Sequence, residues 1–497
     1  MPPMLIPLAN KQSASVQEKF PGTPLQEPPV QDIAVFDDTL ALLDLKPASV
    51  WRAMSDEERA PYLGVDLSRY PHLFGRKQWE PIQTRQDRHI YIPLMKSYTK
   101  QLLGLTPSPF MLTHIVTTRC NYSCDFCCFA DSLNKKTQEL TLPEIEKAYA
   151  TIGGNLNVLV YSGGETTLNR QLPEIIEAAY RLTSVKSIYI ISNAWKPDLL
   201  FEITHRIMQR CPGLHLTWSL SVEGPRNHNN TVRYTKATQW DAWQNTVDTL
   251  FGLKAMREQF GYTELDAQLC TVCTPDNYQI LPAWYEIVKN ILQPDKWNLN
   301  LMRRSVQMSE HQLSPLAERR QKHMGLVKEA NKSIKPLLKE PFEDAYLSLT
   351  EQIRADVLSG ELKFLYHTKS RIDGALKSAV DLISQEENRR VVRQEDPSFC
   401  CKAGMFGAFI GSEGQVSGCE EFALNPLENK AFGNLRETHG DFQAIWHSDK
   451  AREYRQMVGK ARECHGCTLE SQKNYPSILV SFNGLMRAKN LAPQIAG

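Results

Sequence analysis

The sequence predicts an α/β fold: a partial (β/α)6 barrel preceded by helices, interrupted by a helical insertion and followed by a small α+β domain rich in cysteine. Three observations predict it. Between residues 110 and 304, six short apolar runs alternate with helical stretches, the pattern of a parallel sheet with right-handed crossovers. Six such units close only part of an eightfold barrel. Residues 305–397 change to polar, Glu-, Lys-, Arg- and Leu-rich sequence with helical spacing, and residues 398–470 combine cysteines with glycines and strand-like pieces.

Residues 1–32 are proline-rich and read as a flexible arm. Residues 33–109 carry helical patterns, with Ser55-Asp56-Glu57-Glu58 fitting a capping box; the segment reads as a helical cap on the domain that follows. The first strand is expected at Leu112 to Thr118. Thr141-Leu142-Pro143-Glu144 then opens a helix, with a threonine N-cap, an early proline and a glutamate three residues on. Further strands are expected at Val158 to Ser162, Ser187 to Ser192, His215 to Ser221, Asp266 to Cys273 and Trp297 to Met302. Helices are expected between them, as at Leu172 to Leu182 and Asp241 to Gln259. The last segment, 471–497, reads as a peripheral tail.

Composition narrows the class. The 497 residues are 42% hydrophobic and 23% charged, ordinary for a globular chain. Lys plus Arg number 57 and Asp plus Glu 56, a formal charge of +1, so no electrostatic case exists for nucleic acid or an anionic membrane as main partner. No run of eighteen apolar residues spans a bilayer. The amino-terminal sequence lacks a basic n-region followed by an apolar h-region, and a cytoplasmic location is expected. There, twelve cysteines point to metal or redox chemistry rather than disulfides.

Cys120-Asn-Tyr-Ser-Cys124-Asp-Phe-Cys127 follows the first strand directly. Three thiolates so close suit one iron–sulfur cluster. A cubane has four irons, so three thiolates leave one iron open to a ligand. A zinc knuckle would need a fourth ligand, and Cys128 could serve only with strained geometry, because adjacent residues in an extended segment point apart. Later, Cys401-Lys-Ala-Gly404 leads to Gly414-Gln-Val-Ser-Gly-Cys419, and Cys464-His-Gly-Cys467 follows. A glycine-rich hairpin would bring the first two thiols together, and the Cys-x2-Cys loop would close the set. Four thiolates fill a 4Fe–4S cluster or a tetrahedral zinc site equally well.

Further candidates cluster at strand ends. Tyr161-Ser162-Gly163-Gly164-Glu165 ends the second strand; glycines let backbone approach a ligand, and a carboxylate can take an ammonium. In His215-Leu-Thr-Trp-Ser219-Leu-Ser221 the alternate set is polar and should face the lumen, while Leu216, Trp218 and Leu220 face the helices. By the same alternation Asp266, Gln268 and Cys270 face inward and Cys273 packs under a helix; Asn298 and Asn300 face inward from strand six and could bind substrate. A lumen thiol at Cys270 could return a hydrogen atom to a substrate radical, or be a small buried hydrophobe. Cys128 and Cys211 read as structural.

The Cys120, Cys124, Phe126, Cys127 segment resembles the fingerprint of the radical SAM superfamily, Cys-x3-Cys-x-aromatic-Cys after the first strand of a partial TIM-like barrel. The resemblance covers residues 110–304. It implies that Cys120, Cys124 and Cys127 hold a 4Fe–4S cluster whose open iron is chelated by S-adenosylmethionine (SAM), and that reductive cleavage gives a 5′-deoxyadenosyl radical that abstracts a substrate hydrogen. Gly163-Gly164-Glu165 is similar to the family's contact to the amino group of SAM, although Thr166 stands where proline is usual. Ser219, Ser221 and Arg233 are similar to the strand-four residues that meet SAM and its carboxylate, with Val222 in place of the usual aspartate. Ser192-Asn193 occupies the place of ribose-contacting residues. The second cysteine set resembles a SPASM/twitch domain with one auxiliary 4Fe–4S cluster held by Cys401, Cys419, Cys464 and Cys467. Cys400 competes with Cys401, and the Cys-x-x-Gly spacing to Gly404 favours Cys401. The implied electron donor is a flavodoxin or ferredoxin. Expected substrates are a small molecule of sugar or aminocyclitol type, for oxidation or rearrangement, or a ribosomally made peptide. The rival from another class is a non-enzymatic zinc-binding protein on a decayed barrel.

Overall fold

The computed structural model describes residues 37–70, 99–100, 103, 105–124, 126–129, 132–233, 241–302, 341–362, 371–393, 395, 398–424, 430–460, 464, 467, 475–479 and 481–496. The flexible arm expected over residues 1–32 lies outside them. Helices α1 (Asp38–Leu45), α2 (Ala48–Ala53) and α3 (Asp56–Arg59) open the described chain. The capping box expected at Ser55 forms: Ser55 Oγ accepts from the Glu58 N–H at 3.2 Å, and Glu58 Oε2 accepts from the Ser55 N–H at 2.6 Å. The cap is fastened by polar contacts to the barrel's outer helices. Asp37 accepts from the Asn227 N–H at 3.0 Å, and the buried Lys254 ammonium donates to Asp56 at 3.1 Å.

The barrel alternates β1 (Met111–Thr117), α4 (Leu142–Ile152), β2 (Val158–Gly163), α5 (Leu172–Leu182), β3 (Ser187–Ser192), α6 (Pro197–Arg210), β4 (His215–Ser221), α7 (Arg226–Val232), α8 (Ala242–Phe260), β5 (Leu265–Cys273), α9 (Leu281–Ile287) and β6 (Lys296–Leu301). The six strands are parallel and stand in chain order, each paired with the next. Sequence explains the local choices. Pro143 sits in the first turn of α4, where its missing N–H costs nothing, and Glu144 reaches back to the Thr141 N–H at 2.8 Å. Gly261 ends α8 in a left-handed conformation (φ 66°), its N–H bonded to Arg257. The alternation on β4 divides as its pattern demands. Leu216, Trp218 and Leu220 are fully buried toward the helices, and the Trp218 indole N–H donates to Thr204 Oγ1 at 2.8 Å. Removing an anchor of that size costs about 3–5 kcal/mol.

Within the insertion, the described part consists of α10 (Pro341–Ser359) and α11 (Arg371–Val392). Cys273 does pack beneath this region, its thiol 3.4 Å from the Phe342 carbonyl. Lys296 on β6 pairs with Asp381 on α11 at 2.6 Å, both nearly buried. The small domain contributes β7 (Gly407–Ile410), β8 (Gln415–Ser417), α12 (Glu420–Leu424), β9 (Gly433–Asn434), α13 (Phe442–Trp446) and α14 (Asp449–Met457). It extends the barrel sheet: β7 lies parallel against the outer edge of β1, with Met111 opposite Gly407, and β8 and β9 follow antiparallel.

The last segment differs from expectation. Residues 471–497 are not a peripheral tail; their described part forms α15 (Tyr475–Leu479) and α16 (Phe482–Ala496), which pack on α11. Gly484, Ala488, Leu491 and Ala492 make a buried stripe at helical spacing. Its small residues give α16 a low overall hydrophobicity, and a Cβ on Gly484 would lie 2.3 Å from the Ile478 carbonyl oxygen in α15.

Candidate active site and auxiliary metal centre

A cavity of about 420 Å³ fills the barrel lumen. Cys120, Cys124 and Cys127 line it from the loop after β1, and Leu376, Lys377 and Val380 of α11 close it from the insertion. The cysteine loop is pinned by residues that sequence reading missed. Asn134, in a left-handed conformation (φ 57°), clasps Cys120 by its backbone: the Cys120 N–H donates to Asn134 Oδ1 at 3.0 Å, and Asn134 Nδ2 donates to the Cys120 carbonyl at 2.9 Å. Glu139 takes the Thr117 hydroxyl at 2.7 Å and the Thr118 N–H at 2.8 Å. Asparagine is among the few residues besides glycine that accept such a positive φ, so the identity of residue 134 is the one local signal that could have found it.

Gly163 and Gly164 have a packing role beside any ligand role. A Cβ on Gly164 would lie 2.1 Å from the Arg119 carbonyl oxygen, and one on Gly163 2.3 Å from that of Thr117. Their missing side chains let the end of β2 press against the cysteine loop, where the Gly164 and Glu165 N–H groups donate to Thr117 and Arg119 at 2.9 and 2.8 Å. Glu165 is fully buried, and its carboxylate is taken up by the chain. Oε1 accepts from the Thr167 N–H (3.1 Å), the Thr167 hydroxyl (2.6 Å) and the Ser192 hydroxyl (2.8 Å); Oε2 accepts from the Asn193 N–H (2.6 Å). Burial pushes its pKa up, against the pull of those donors. The lumen-facing groups here are Gly163, Gly164, Ser192 and Asn193, and Asn193 Nδ2 reaches Asn121 in the cysteine loop at 3.0 Å.

Ser219, Ser221, Phe126 and Arg233 also line the cavity. The Arg233 guanidinium lies 5.5 Å from the centre of the Phe126 ring and pairs with Glu223 at 2.8 Å. Burial alone would lower the Arg233 pKa, but the Cys124 thiol and the Glu223 carboxylate lift it above the usual arginine value. Glu223 itself is locked in place. Its N–H donates to Asn229 Oδ1 at 2.9 Å, its carbonyl accepts from Asn277 Nδ2 at 3.0 Å, and its Oε2 takes the Val272 N–H at 2.7 Å. The carboxylate sought beside Ser221 therefore stands one position beyond Val222.

The β5–β6 wall is made of neutral polar groups. Gln268, Cys270, Asn298 and Asn300 all line the lumen. Cys270 stands level with Ser221 on one side and Asn298 on the other, and Asn300 Nδ2 donates to its sulfur at 3.3 Å. Gln268 is 1% exposed; its Oε1 accepts from Asn298 at 3.3 Å, while its Nε2 has no hydrogen-bond partner among the described residues. Lys296 contributes its stem to the same wall, its charge met by Asp381.

In the small domain Cys401 and Cys419 flank the β7–β8 hairpin and are buried, whereas Cys400 is exposed. Gly459 (φ 80°) joins the later thiols to the earlier ones. Its N–H donates to Cys464 Sγ at 3.3 Å, and its Cα hydrogen face lies against Cys400 and Cys401. Tyr454, another residue missed in sequence, sits among Cys419, Cys401 and Cys464. Cys467 is half-buried. Thiol donors suit iron: Cys120, Cys124 and Cys127 line one cavity, and Cys401, Cys419 and Cys464 lie about Tyr454. Among the described residues no three His, Cys, Asp or Glu side chains close round a single-ion site.

Residues 114–255 match the model of the radical SAM superfamily, and residues 400–468 match that of an iron–sulfur cluster-binding domain, SPASM. Similar solved structures include anSMEcpe with bound AdoMet (14% identity, 78% of this chain and 95% of that one, TM-score 0.45). Streptococcus suis SuiB is another (16% identity, 78% of each chain, TM-score 0.47). BtrN in complex with AdoMet and 2-DOIA is a third (14% identity, 75% and 99%, TM-score 0.34). No curated protein matches the chain in sequence. Among the described residues no helix is long and apolar enough to cross a membrane.

Proposed function

Because the chain is a radical SAM enzyme with a C-terminal SPASM-type domain, binding SAM and 4Fe–4S clusters, we propose that it removes a hydrogen atom from a neutral, hydroxyl-bearing small molecule of sugar or aminocyclitol type held in the barrel lumen. The observation that carries this reading is the β5–β6 wall. Gln268 Nε2 is a buried donor without a partner among the described residues, beside Asn298 in the cavity wall, and an unpaired buried donor is costly until an acceptor meets it. The wall offers amides rather than net charge, since Asp381 neutralises Lys296. A hydroxyl or carbonyl oxygen fits it better than a phosphate or carboxylate.

Cys120, Cys124 and Cys127 are the residues to hold the first cluster, and Cys401, Cys419, Cys464 and Cys467 the second. When bound, the first cluster and SAM supply a 5′-deoxyadenosyl radical, and the second cluster supplies a one-electron store. The chain's own residues orient and shield. Arg233, charged and stacked on Phe126, offers its guanidinium to a carboxylate; Ser192, Asn193, Ser219 and Ser221 offer hydroxyl and amide groups along the same rim; Gly163 and Gly164 keep the backbone close. The Glu165 carboxylate fixes the Ser192-Asn193 turn. Leu376 and Val380 help exclude water from the lumen. Cys270 holds a hydrogen at Sγ beside Asn298. Transfer to a substrate carbon radical leaves a thiyl, which one electron from a flavodoxin- or ferredoxin-class donor and one proton from solvent restore.

The test is anaerobic reconstitution followed by a 5′-deoxyadenosine assay with cyclitols, sugars and a linear peptide, each deuterated at carbon. Deuterium in 5′-deoxyadenosine from a cyclitol or sugar is expected; transfer from peptide alone would replace this reading with the peptide one. Iron should number about eight per chain. Zinc with no SAM cleavage would overturn both. Cys124→Ala should abolish cleavage, and Cys467→Ala should spare cleavage but stop turnover.

A further inference from the structure

Tyr454 of α14 enters the small domain at a place prepared for it. A Cβ on Gly418 would lie 2.8 Å from the Tyr454 hydroxyl oxygen and 2.3 Å from its ring, and one on Gly404 would lie 2.6 Å from the ring. Two glycines, one directly before Cys419 and one three residues after Cys401, thus give up their side chains to admit this ring. Phe422 and Phe432 meet it edge-on, with centroids 5.7 and 5.0 Å away. The residue is 3% exposed, and the polar group its hydroxyl meets is the Cys419 thiol. Cys419, Cys401 and Cys464 all lie within electrostatic reach.

A buried phenol hydroxyl needs a polar partner, and here the one it meets is a thiol assigned to the cluster; packing alone would be served by phenylalanine. We infer that the Tyr454 hydroxyl donates a hydrogen bond to a sulfur of the auxiliary cluster and holds that cluster's reduction potential up. A donor aimed at cluster sulfur stabilises the more negative, reduced state, one of the levers by which a protein sets such potentials. Tyr454 is a positioning and tuning residue, not a ligand. The inference rests on the assignment of Cys401, Cys419, Cys464 and Cys467 to the second cluster.

The test is an EPR-monitored redox titration of the full-length reconstituted chain and of Tyr454→Phe. The signal that shifts when SAM is added belongs to the first cluster, and the other signal is followed. Tyr454→Phe should keep about eight irons and lower the reduced-to-oxidised ratio at fixed solution potential about tenfold, equivalent to about 59 mV for a one-electron couple. Pulsed EPR should also show an exchangeable proton coupled to the reduced cluster in the parent and not in Tyr454→Phe. Unchanged potential and coupling with iron intact would overturn the inference. So would loss of half the iron in the variant, which would make Tyr454 necessary for assembly instead. Absence of any second signal in the parent chain would instead remove the cluster assignment itself.

Discussion

Glu223 grips Arg233 with one carboxylate oxygen: Oε1 accepts from the arginine Nε at 2.9 Å and from a terminal nitrogen at 2.8 Å, while Oε2 is kept for the Val272 N–H. One residue thereby fixes both the guanidinium over Phe126 and the C-terminal part of β5. Glu223→Ala leaves a buried cation and a buried N–H unpaired, so it should destabilise the fold by about 3–5 kcal/mol. Urea denaturation reads this directly. Glu223→Gln should keep the Val272 contact, lose less stability, and still weaken SAM binding, read by equilibrium dialysis on the reconstituted enzyme.

Asn134 serves Cys120 in two separable ways, by conformation and by hydrogen bonds. Asn134→Gly keeps access to positive φ and loses both bonds; Asn134→Ala loses both and strains the turn as well. Iron content of the first cluster should therefore fall in the order parent, Gly, Ala. Each lost bond is worth about 1 kcal/mol. Equal iron in the parent and both variants would mean that the loop is held without Asn134.

Gly164→Ala introduces a methyl group 2.1 Å from the Arg119 carbonyl oxygen. The end of β2 must then withdraw from the cysteine loop. SAM cleavage should drop at least a hundredfold, while the second cluster stays in place. Mössbauer or EPR quantitation of the two clusters, taken with 5′-deoxyadenosine yield, checks both halves of the statement.

His114 supplies a pH dependence. It is buried between β1 and α4, 2.7 Å from the Tyr149 hydroxyl, and burial lowers its pKa to about 3. The unfolded chain binds the proton near pH 6.5, the folded chain only near 3. Stability is therefore full above pH 6.5 and lost as pH falls toward 3, by at most about 1.4 kcal/mol per pH unit from this group. His114→Gln should flatten the slope of unfolding free energy against pH across that window. A parallel slope in parent and variant would assign the acid sensitivity to other groups.

Much of the barrel is legible in sequence because each strand carries its burial pattern locally. Ser187–Ser192 and His215–Ser221 fall where alternation puts them, and the other four strands move by a residue or so at their ends. Cys120, Cys124 and Cys127 are equally local, three donors in eight residues. What escapes is set by partners distant in the chain. Position 223 reads as a loop glutamate until Arg233 and Val272 fold against it. Position 454 reads as one aromatic in a polar helix until Gly404 and Gly418 open a space for it. The stripe on α16 escapes for another reason: glycine and alanine bury by closeness, not by hydrophobicity, so composition gives little sign of it.

Pairing of β7 with the outer edge of β1 bears on the order in which the molecule is made. Met111 to His114 find their second neighbour only in Gly407 to Ile410. Until those residues leave the ribosome, the strand that leads to the first cysteine has a bare edge, with side chains that are buried on both faces of the finished sheet. Such an edge invites pairing with another chain. A product truncated before Gly407 should aggregate rather than form a smaller working barrel, and cluster loading belongs after synthesis is complete.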